Sequence, residues 1–183
     1  HPLVPHLDNH PEVLVLESKD EKRNAANAWH SDLTFSEEPP LGSILLARTV
    51  PERGGDTIWA DMYAAYEALS PAMKRYLEGM TAIHHAGGAQ FEKTHEKDDA
   101  RGGEVKEIKQ EIAPVEHPIV RTHPETGRQA LYVNSIFTQH IRGVTRKESR
   151  AILDHLLDHL RTPEFTCRFH WEQNSVAFWD NRC

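Results

Sequence analysis

Apolar residues in this chain come in short runs broken by proline, glycine or charged turns, and one stretch alone sustains a long helical period. Residues 13–16, 43–48 and 56–60 are such runs. The first is followed by the polar segment 17–26, the second is preceded by Pro39, Pro40 and Gly42, and the third by Gly54-Gly55. Runs of this length suit strands of about five or six residues and are too short for ordinary helices. A chain built this way must bury its apolar surface mainly between sheets.

The same reading continues along the sequence. Residues 13–16 are expected as a buried strand, and 28–35 and 81–85 as extended segments. Residues 117–123 and 128–134 flank Pro124-Glu125-Thr126-Gly127, a turn-rich tetrapeptide that predicts a hairpin. Residues 165–171 and 175–180 predict a second hairpin across Glu172-Gln173-Asn174. Helices are inserted among the strands. Asp61 can N-cap 62–69, and Ser70 with Pro71 starts a run that ends at Gly79. Thr145-Arg146-Lys147-Glu148 is a capping box, followed by the stripe Ile152, Leu153, Leu156, Leu157 and Leu160, with Pro163 as the stop. Residues 92–111 are charged, mixed in sign and contain Gly102-Gly103, which suggests an insert or lid within one domain. The fold class is mainly β with inserted helices, an antiparallel β-sandwich or jelly roll. An α+β sheet with one helical layer would give much the same string.

Composition narrows the function. With 21 basic and 28 acidic side chains the net charge is −7, and no basic run offers a footprint for nucleic acid or an anionic membrane. No stretch approaches the length of an apolar membrane span. Cys167 and Cys183 have neither metal-ligand nor secretory spacing, so reduced thiols in a cytoplasmic protein are expected. The chain starts at His1 without Met and stops at Cys183 directly after an apolar run, so further residues are expected at both ends.

One segment carries recognisable chemistry. In Trp29-His30-Ser31-Asp32, an extended backbone puts His30 and Asp32 on one face. An imidazole and a carboxylate are two thirds of the 2-His-1-carboxylate triad that holds non-haem Fe(II). Thirteen histidines in 183 residues make a chance H-x-D common, so the pair needs support from its surroundings. The other histidines invite blander readings. His155 and His159 have metal-binding spacing but lie off the apolar stripe, and Leu156 stands where a zinc-protease helix carries Glu. His84 and His85 face opposite ways on an extended chain, and His117 and His123 precede prolines. Gly54-Gly55-Asp56-Thr57 lacks the lysine and spacing of a phosphate loop, which leaves a glycine turn or a close approach to a small ligand. No nucleophile elbow occurs, and neither cysteine sits in a nucleophile motif.

Several segments together resemble the taurine dioxygenase (TauD/TfdA) family of Fe(II)- and 2-oxoglutarate-dependent dioxygenases. Trp29-His30-Ser31-Asp32-Leu33-Thr34-Phe35 is similar to the family's W-H-x-D-x-T-F, and Gly54-Gly55-Asp56-Thr57-Ile58-Trp59 to its G-G-D-T-x-W. His117-Pro118-Ile119-Val120-Arg121-Thr122-His123-Pro124 resembles H-P-V-V-R-T-H-P and is followed by Tyr132-Val133-Asn134 and Phe137. Trp179-Asp180-Asn181-Arg182 matches W-D-N-R. The likeness runs in constant order over nearly the whole chain.

The resemblance implies a double-stranded β-helix (jelly-roll) core and a single dioxygenase domain over 1–183. It makes His30 and Asp32 two Fe(II) ligands, gives Thr57 a hydrogen bond to a 2-oxoglutarate carboxylate, and lines the substrate pocket with His1, the backbone amide of Leu33, and Phe137. The third ligand, a histidine, is expected a few residues after Arg182 and therefore beyond Cys183, with the anion-binding arginines further on. Fe(II), 2-oxoglutarate and O2 are the implied cofactor and cosubstrates, and a small anion is the implied substrate. Taurine-specific members carry Tyr and Asn where this chain has Val4 and Ala26. An enclosed site that loses such hydrogen-bonding groups discriminates against the polar ligand, so a bulkier sulfonate or a sulfate ester is expected. The alternatives are an aryloxy- or other carboxylate substrate in the same family, or a non-catalytic jelly-roll binding module. Homo-oligomerisation is left open.

Overall fold

A computed structural model of the chain describes residues 6–7, 9–16, 28–87 and 112–183. The expected lid at 92–111, the pocket residue His1, and Val4 and Ala26 lie outside them. Among the described residues the chain forms eleven strands, three α-helices and one 3₁₀ turn, so it is mainly β as expected.

Strands β1 (His6–Leu7) and β2 (His10–Leu14) form a small antiparallel ribbon. The run expected as a buried strand is not buried: Val13, Val15 and Leu16 are exposed. Neither core cluster draws a residue from this ribbon, so it has no apolar layer to face.

Two further ribbons pair strands far apart in sequence. Strand β3 (Gly42–Leu46) lies antiparallel to β11 (Val176–Asp180), with Ser43 opposite Trp179 and Ile44 opposite Phe178. Gly42 is required there, because a Cβ would stand 2.4 Å from the Trp179 carbonyl oxygen. The period of two puts Ser43 and Leu45 on the inner face, while Ile44, Leu46, Val176 and Phe178 point outward and are exposed. Strand β4 (Thr57–Ala60) pairs in the same sense with β10 (Thr166–Phe169). The last two strands therefore do not form the expected hairpin. The turn at 172–175 carries the chain from one ribbon to the other, because β10 pairs along its whole length with β4 and β11 with β3.

The central sheet has the order β6-β5-β9, with β5 (Thr81–His84) between β6 (Val115–Pro118) and β9 (Thr138–Ile141). The strand expected over 117–123 is split. Ile119, fully buried, donates its N–H to the Met80 carbonyl, and the chain then starts β7 (Val120–Thr122), which pairs with β8 (Gln129–Leu131). The hairpin across Pro124–Gly127 does form, with Gly127 at φ 70°.

The helices begin where the caps predict. Asp61 accepts from the N–H groups of Tyr63 and Ala64 ahead of α1 (Met62–Glu67), and Ser70 accepts from Met73 ahead of α2 (Pro71–Leu77). Thr145 and Glu148 cap α3 (Arg146–His159) reciprocally. Leu153 and Leu156 pack with Ala65, Leu69, Leu77, Ala82, Ile119, Leu131 and Ile141, so the helices cover one side of the central sheet. His159 is a partial correction to the solvated-face reading. Its Nε2 donates to the Ala65 carbonyl at 2.8 Å and ties α3 to α1, whereas His155 is exposed as expected.

A second cluster, Phe35, Ala86, Ile136 and Phe137, lies on the side of the H-x-D segment.

Candidate functional site

Residues 28–36 form no strand. Leu33 takes a left-handed backbone (φ 54°), and the N–H of Ser36 closes a turn onto the Leu33 carbonyl. No β-ladder runs through residues 28–36, so strand pairing does not set the faces of His30 and Asp32. The two side chains meet all the same, with His30 Nε2 3.5 Å from Asp32 Oδ1.

The segment is held by side chains rather than by a ladder. The Trp29 carbonyl accepts from both the N–H and the hydroxyl of Ser135. Thr34 Oγ1 lies 3.0 Å from His84 Nδ1 and accepts from Asn134 Nδ2 at 3.0 Å, and all three residues are buried. The oxygen of the Asn134 amide accepts from the N–H groups of Ile136 and Phe137, so one asparagine holds both the H-x-D segment and the Phe137 backbone. His117 Nε2 donates to the Ser36 carbonyl.

At the pair itself, His30 Nδ1 donates to the Ala28 carbonyl at 2.9 Å. A carbonyl only accepts, so Nδ1 carries a proton and Nε2 is the ring nitrogen turned toward the carboxylate. With Nε2 deprotonated, the nitrogen and oxygen 3.5 Å apart are spaced as two neighbouring ligands of a divalent ion at about 2 Å each. The donor set, one imidazole and one carboxylate both about one third exposed, therefore fits a metal with open positions. Burial alone would lower the His30 pKa, but Asp32 and the Ala28 carbonyl outweigh it and raise it. Burial would raise that of Asp32, and the bonds from His30 and Ser43 outweigh it and lower it.

The other expected site residues divide. Phe137 is buried, meets the His30 ring edge-on at 6.4 Å and packs on Phe35 at 5.0 Å. Leu33 joins the same cluster, so the structure brings His30, Leu33 and Phe137 together. Thr57 is further off. Its Oγ1 accepts from Trp171 Nε1 at 2.9 Å, which leaves the hydroxyl proton free to donate. It is linked to the pair through Trp171, Trp59 and Trp179 rather than by direct contact. Gly54 and Gly55 both have φ 76°, and a Cβ on Gly54 would meet nothing, so a plain glycine turn accounts for them.

Sequence reasoning missed two groups. Ser43 Oγ donates to Asp32 Oδ2 at 2.5 Å, and Asn181 Nδ2 donates to Ser43 Oγ at 3.0 Å. Asn181 stood inside a recognised motif without a role, and the Gly42 that admits the close strand contact was the available signal for Ser43. A second acid–base cluster, His123, Asp180 and Cys183, has ligand atoms within 4.8 Å of one another. Its carboxylate is already taken by Arg182 through Nη2 at 2.6 Å and Nε at 2.9 Å, and by His123 at 3.1 Å, so it works as an ion-pair knot.

Comparison with known proteins places this geometry. The family model "Taurine catabolism dioxygenase TauD, TfdA family" matches residues 1–183. An alkylsulfatase of Acinetobacter baylyi is 33% identical over 100% of the chain and 57% of its own length. An alpha-ketoglutarate-dependent sulfate ester dioxygenase of Pseudomonas putida is 34% identical over 100% of the chain and 60% of its own. Among solved structures, a taurine dioxygenase from Burkholderia xenovorans superposes with a TM-score of 0.78 at 39% identity, covering 97% of this chain and 57% of that one. The chain thus spans between 57% and 60% of the length of these three proteins.

Proposed function

The chain belongs to the taurine catabolism dioxygenase TauD, TfdA family, with that family's mainly β, jelly-roll fold, and from this premise we propose that it carries the H-x-D half of an Fe(II)- and 2-oxoglutarate-dependent dioxygenase acting on a small sulfonate or alkyl sulfate. The observation that carries the reading is that His30 Nε2 stands 3.5 Å from Asp32 Oδ1 while Nδ1 is already committed to a carbonyl. Residues 1–183 are taken as one domain, supported by a family match that runs from end to end.

His30 and Asp32 would hold the iron as two of its three protein ligands. Fe(II) with 2-oxoglutarate and O2 supplies the oxidising power to hydroxylate a C–H bond, and a hydroxyl beside a sulfonate or sulfate makes a carbon that expels sulfite or sulfate, alongside succinate and CO2. The chain's own residues bind and exclude. The Thr57 hydroxyl, its oxygen already accepting from Trp171, is left to donate to a cosubstrate carboxylate. Phe137, Phe35 and Leu33 make an apolar wall beside His30 that keeps bulk water from one side of the metal. His1 and the Leu33 amide are assigned to the substrate pocket.

The preference for sulfate esters or larger sulfonates over taurine rests on Val4 and Ala26, and on relatives named alkylsulfatase and sulfate ester dioxygenase. No described helix is long and apolar enough to cross a membrane. The free thiols of Cys167 and Cys183 support a reducing, cytoplasmic setting.

The test is to supply full-length protein with Fe(II), 2-oxoglutarate and a panel of sulfonates, alkyl sulfates and phenoxyacetates, and to measure succinate. Alkyl sulfates or larger sulfonates are expected to give the highest kcat/KM. Asp32→Ala is expected to abolish substrate-coupled succinate formation, because the anionic ligand is lost. Undiminished coupling in that variant would remove Asp32 from the metal site.

A further inference from the structure

We propose that Ser43 is a positioning residue of the metal centre, clamping one oxygen of Asp32 so that only the other faces His30 and the ion. The inference rests on the metal reading above and adds to it how the carboxylate is aimed.

Each bond in the relay has one direction. The Trp179 indole Nε1 can only donate, and it lies 3.1 Å from Asn181 Oδ1. That contact fixes the orientation of the Asn181 amide, so the group facing Ser43 is the Nδ2 donor, at 3.0 Å. An oxygen that accepts from Asn181 directs its own hydroxyl proton elsewhere, and the acceptor within reach is Asp32 Oδ2, at 2.5 Å. The backbone N–H of Asp32 also points at Asn181 Oδ1, at 3.4 Å. Asn181 is 2% exposed, so water does not compete for its amide. An indole donor thus orients an amide, the amide orients a hydroxyl, and the hydroxyl orients a carboxylate.

The consequence for the metal is geometric. A carboxylate can bind an ion through one oxygen or both. With Oδ2 held by a short, charge-assisted bond, rotation into a two-oxygen pose would break that bond, so Asp32 presents Oδ1 alone. Single-oxygen binding leaves a coordination position that the second oxygen would otherwise fill, and a bidentate cosubstrate needs it. Ser43 and Trp179 face each other across the β3–β11 pair, and Asn181 follows directly on β11, so the ladder fixes the spacing of these three members of the relay.

The experiment compares full-length wild type with Ser43→Ala, Ser43→Thr and Ser43→Val. Readouts are anaerobic Fe(II) and Co(II) affinity, the visible absorption of the Co(II) form, and the Tm of the metal-free protein. Thr and Val have nearly the same shape and differ in the hydroxyl, so this pair decides the question even if Ser43→Ala folds poorly. Ala and Val are expected to bind metal roughly 10- to 100-fold more weakly, with an altered Co(II) spectrum, and Thr to restore both. Equal affinity and identical spectra for Thr and Val would overturn the clamp while leaving the metal site intact. A wild-type protein that binds neither ion would instead overturn the metal reading, and the clamp with it.

Discussion

At the scale of single residues, Asp180 shows how much of this molecule hangs on charged hydrogen bonds. Its carboxylate takes Arg182 through Nε and Nη2 and also His123, and Arg182 reaches on to Glu125. The Arg182 guanidinium holds the Asp180 carboxyl far below the usual carboxylate range. The knot joins the end of β11 to the turn after β7, and the Arg182 side chain is only 11% exposed. Asp180→Asn is therefore expected to cost about 1–3 kcal/mol at pH 7, read as a lower urea midpoint. The folded-state pKa lies below the unfolded value of about 3.9, so the stabilisation is complete above pH 4 and fades as the pH falls further. The gap between wild type and variant should accordingly narrow below pH 4. A gap that stays constant to pH 2.5 would mean that the ion pair is not its source.

At the scale of elements, the β3–β11 ribbon brings Ser43 and Asn181 to Asp32, and Gly42 is what lets the strands close. Gly42→Ala would drive a Cβ into the Trp179 carbonyl, a backbone atom that cannot swing aside. The expected result is a loss of about 2 kcal/mol or more by urea unfolding, accompanied by weaker metal binding in the full-length protein. Loss of stability with unchanged metal affinity would separate the ribbon from the site. Local signals sufficed for the helices and for the β7–β8 hairpin, because Asp61, Ser70, Thr145, Glu148 and Gly127 each satisfy or permit a specific backbone geometry next to themselves. They failed for the pairing of β10 and β11. Two runs across a short turn look like a hairpin, and nothing nearby reveals that β3 and β4, more than a hundred residues earlier, are the partners.

At the scale of the whole molecule, the same division explains what could be read of the site. His30, Asp32, Leu33 and Phe137 were legible because ordered motifs named them. That His30 and Asp32 would meet was expected from a strand, whereas residues 28–36 form none. The support behind them was invisible: Thr34, His84, Asn134 and Ser43 come from separate elements, and side-chain hydrogen bonds leave no periodic trace. His84 also sets how the fold responds to acid. It is fully buried with the His117 ring edge-on at 5.3 Å, and burial, reinforced by His117, pushes its pKa down to about 3. The unfolded chain takes up that proton near pH 6.5 and the folded chain does not, so stability is complete above pH 6.5 and falls as the pH drops toward 3. The expected loss is of the order of 3 kcal/mol by pH 4, measured as urea midpoints against pH. A His84→Gln protein should start less stable at pH 7 and show a flatter profile; an equally steep one would place the sensitivity elsewhere.

The Asn181–Ser43 bond has a further consequence, in time rather than in space. Ser43 and Asn181 are 138 residues apart. At ribosomal rates of about 5–20 residues per second, the amide that aims the Asp32 clamp is made roughly 7–28 s after the serine it holds. Throughout that interval His30 and Asp32 exist on the nascent chain without the strand that orients them. A half-made protein therefore lacks the bond that aims the Asp32 carboxylate until the β3–β11 ribbon closes.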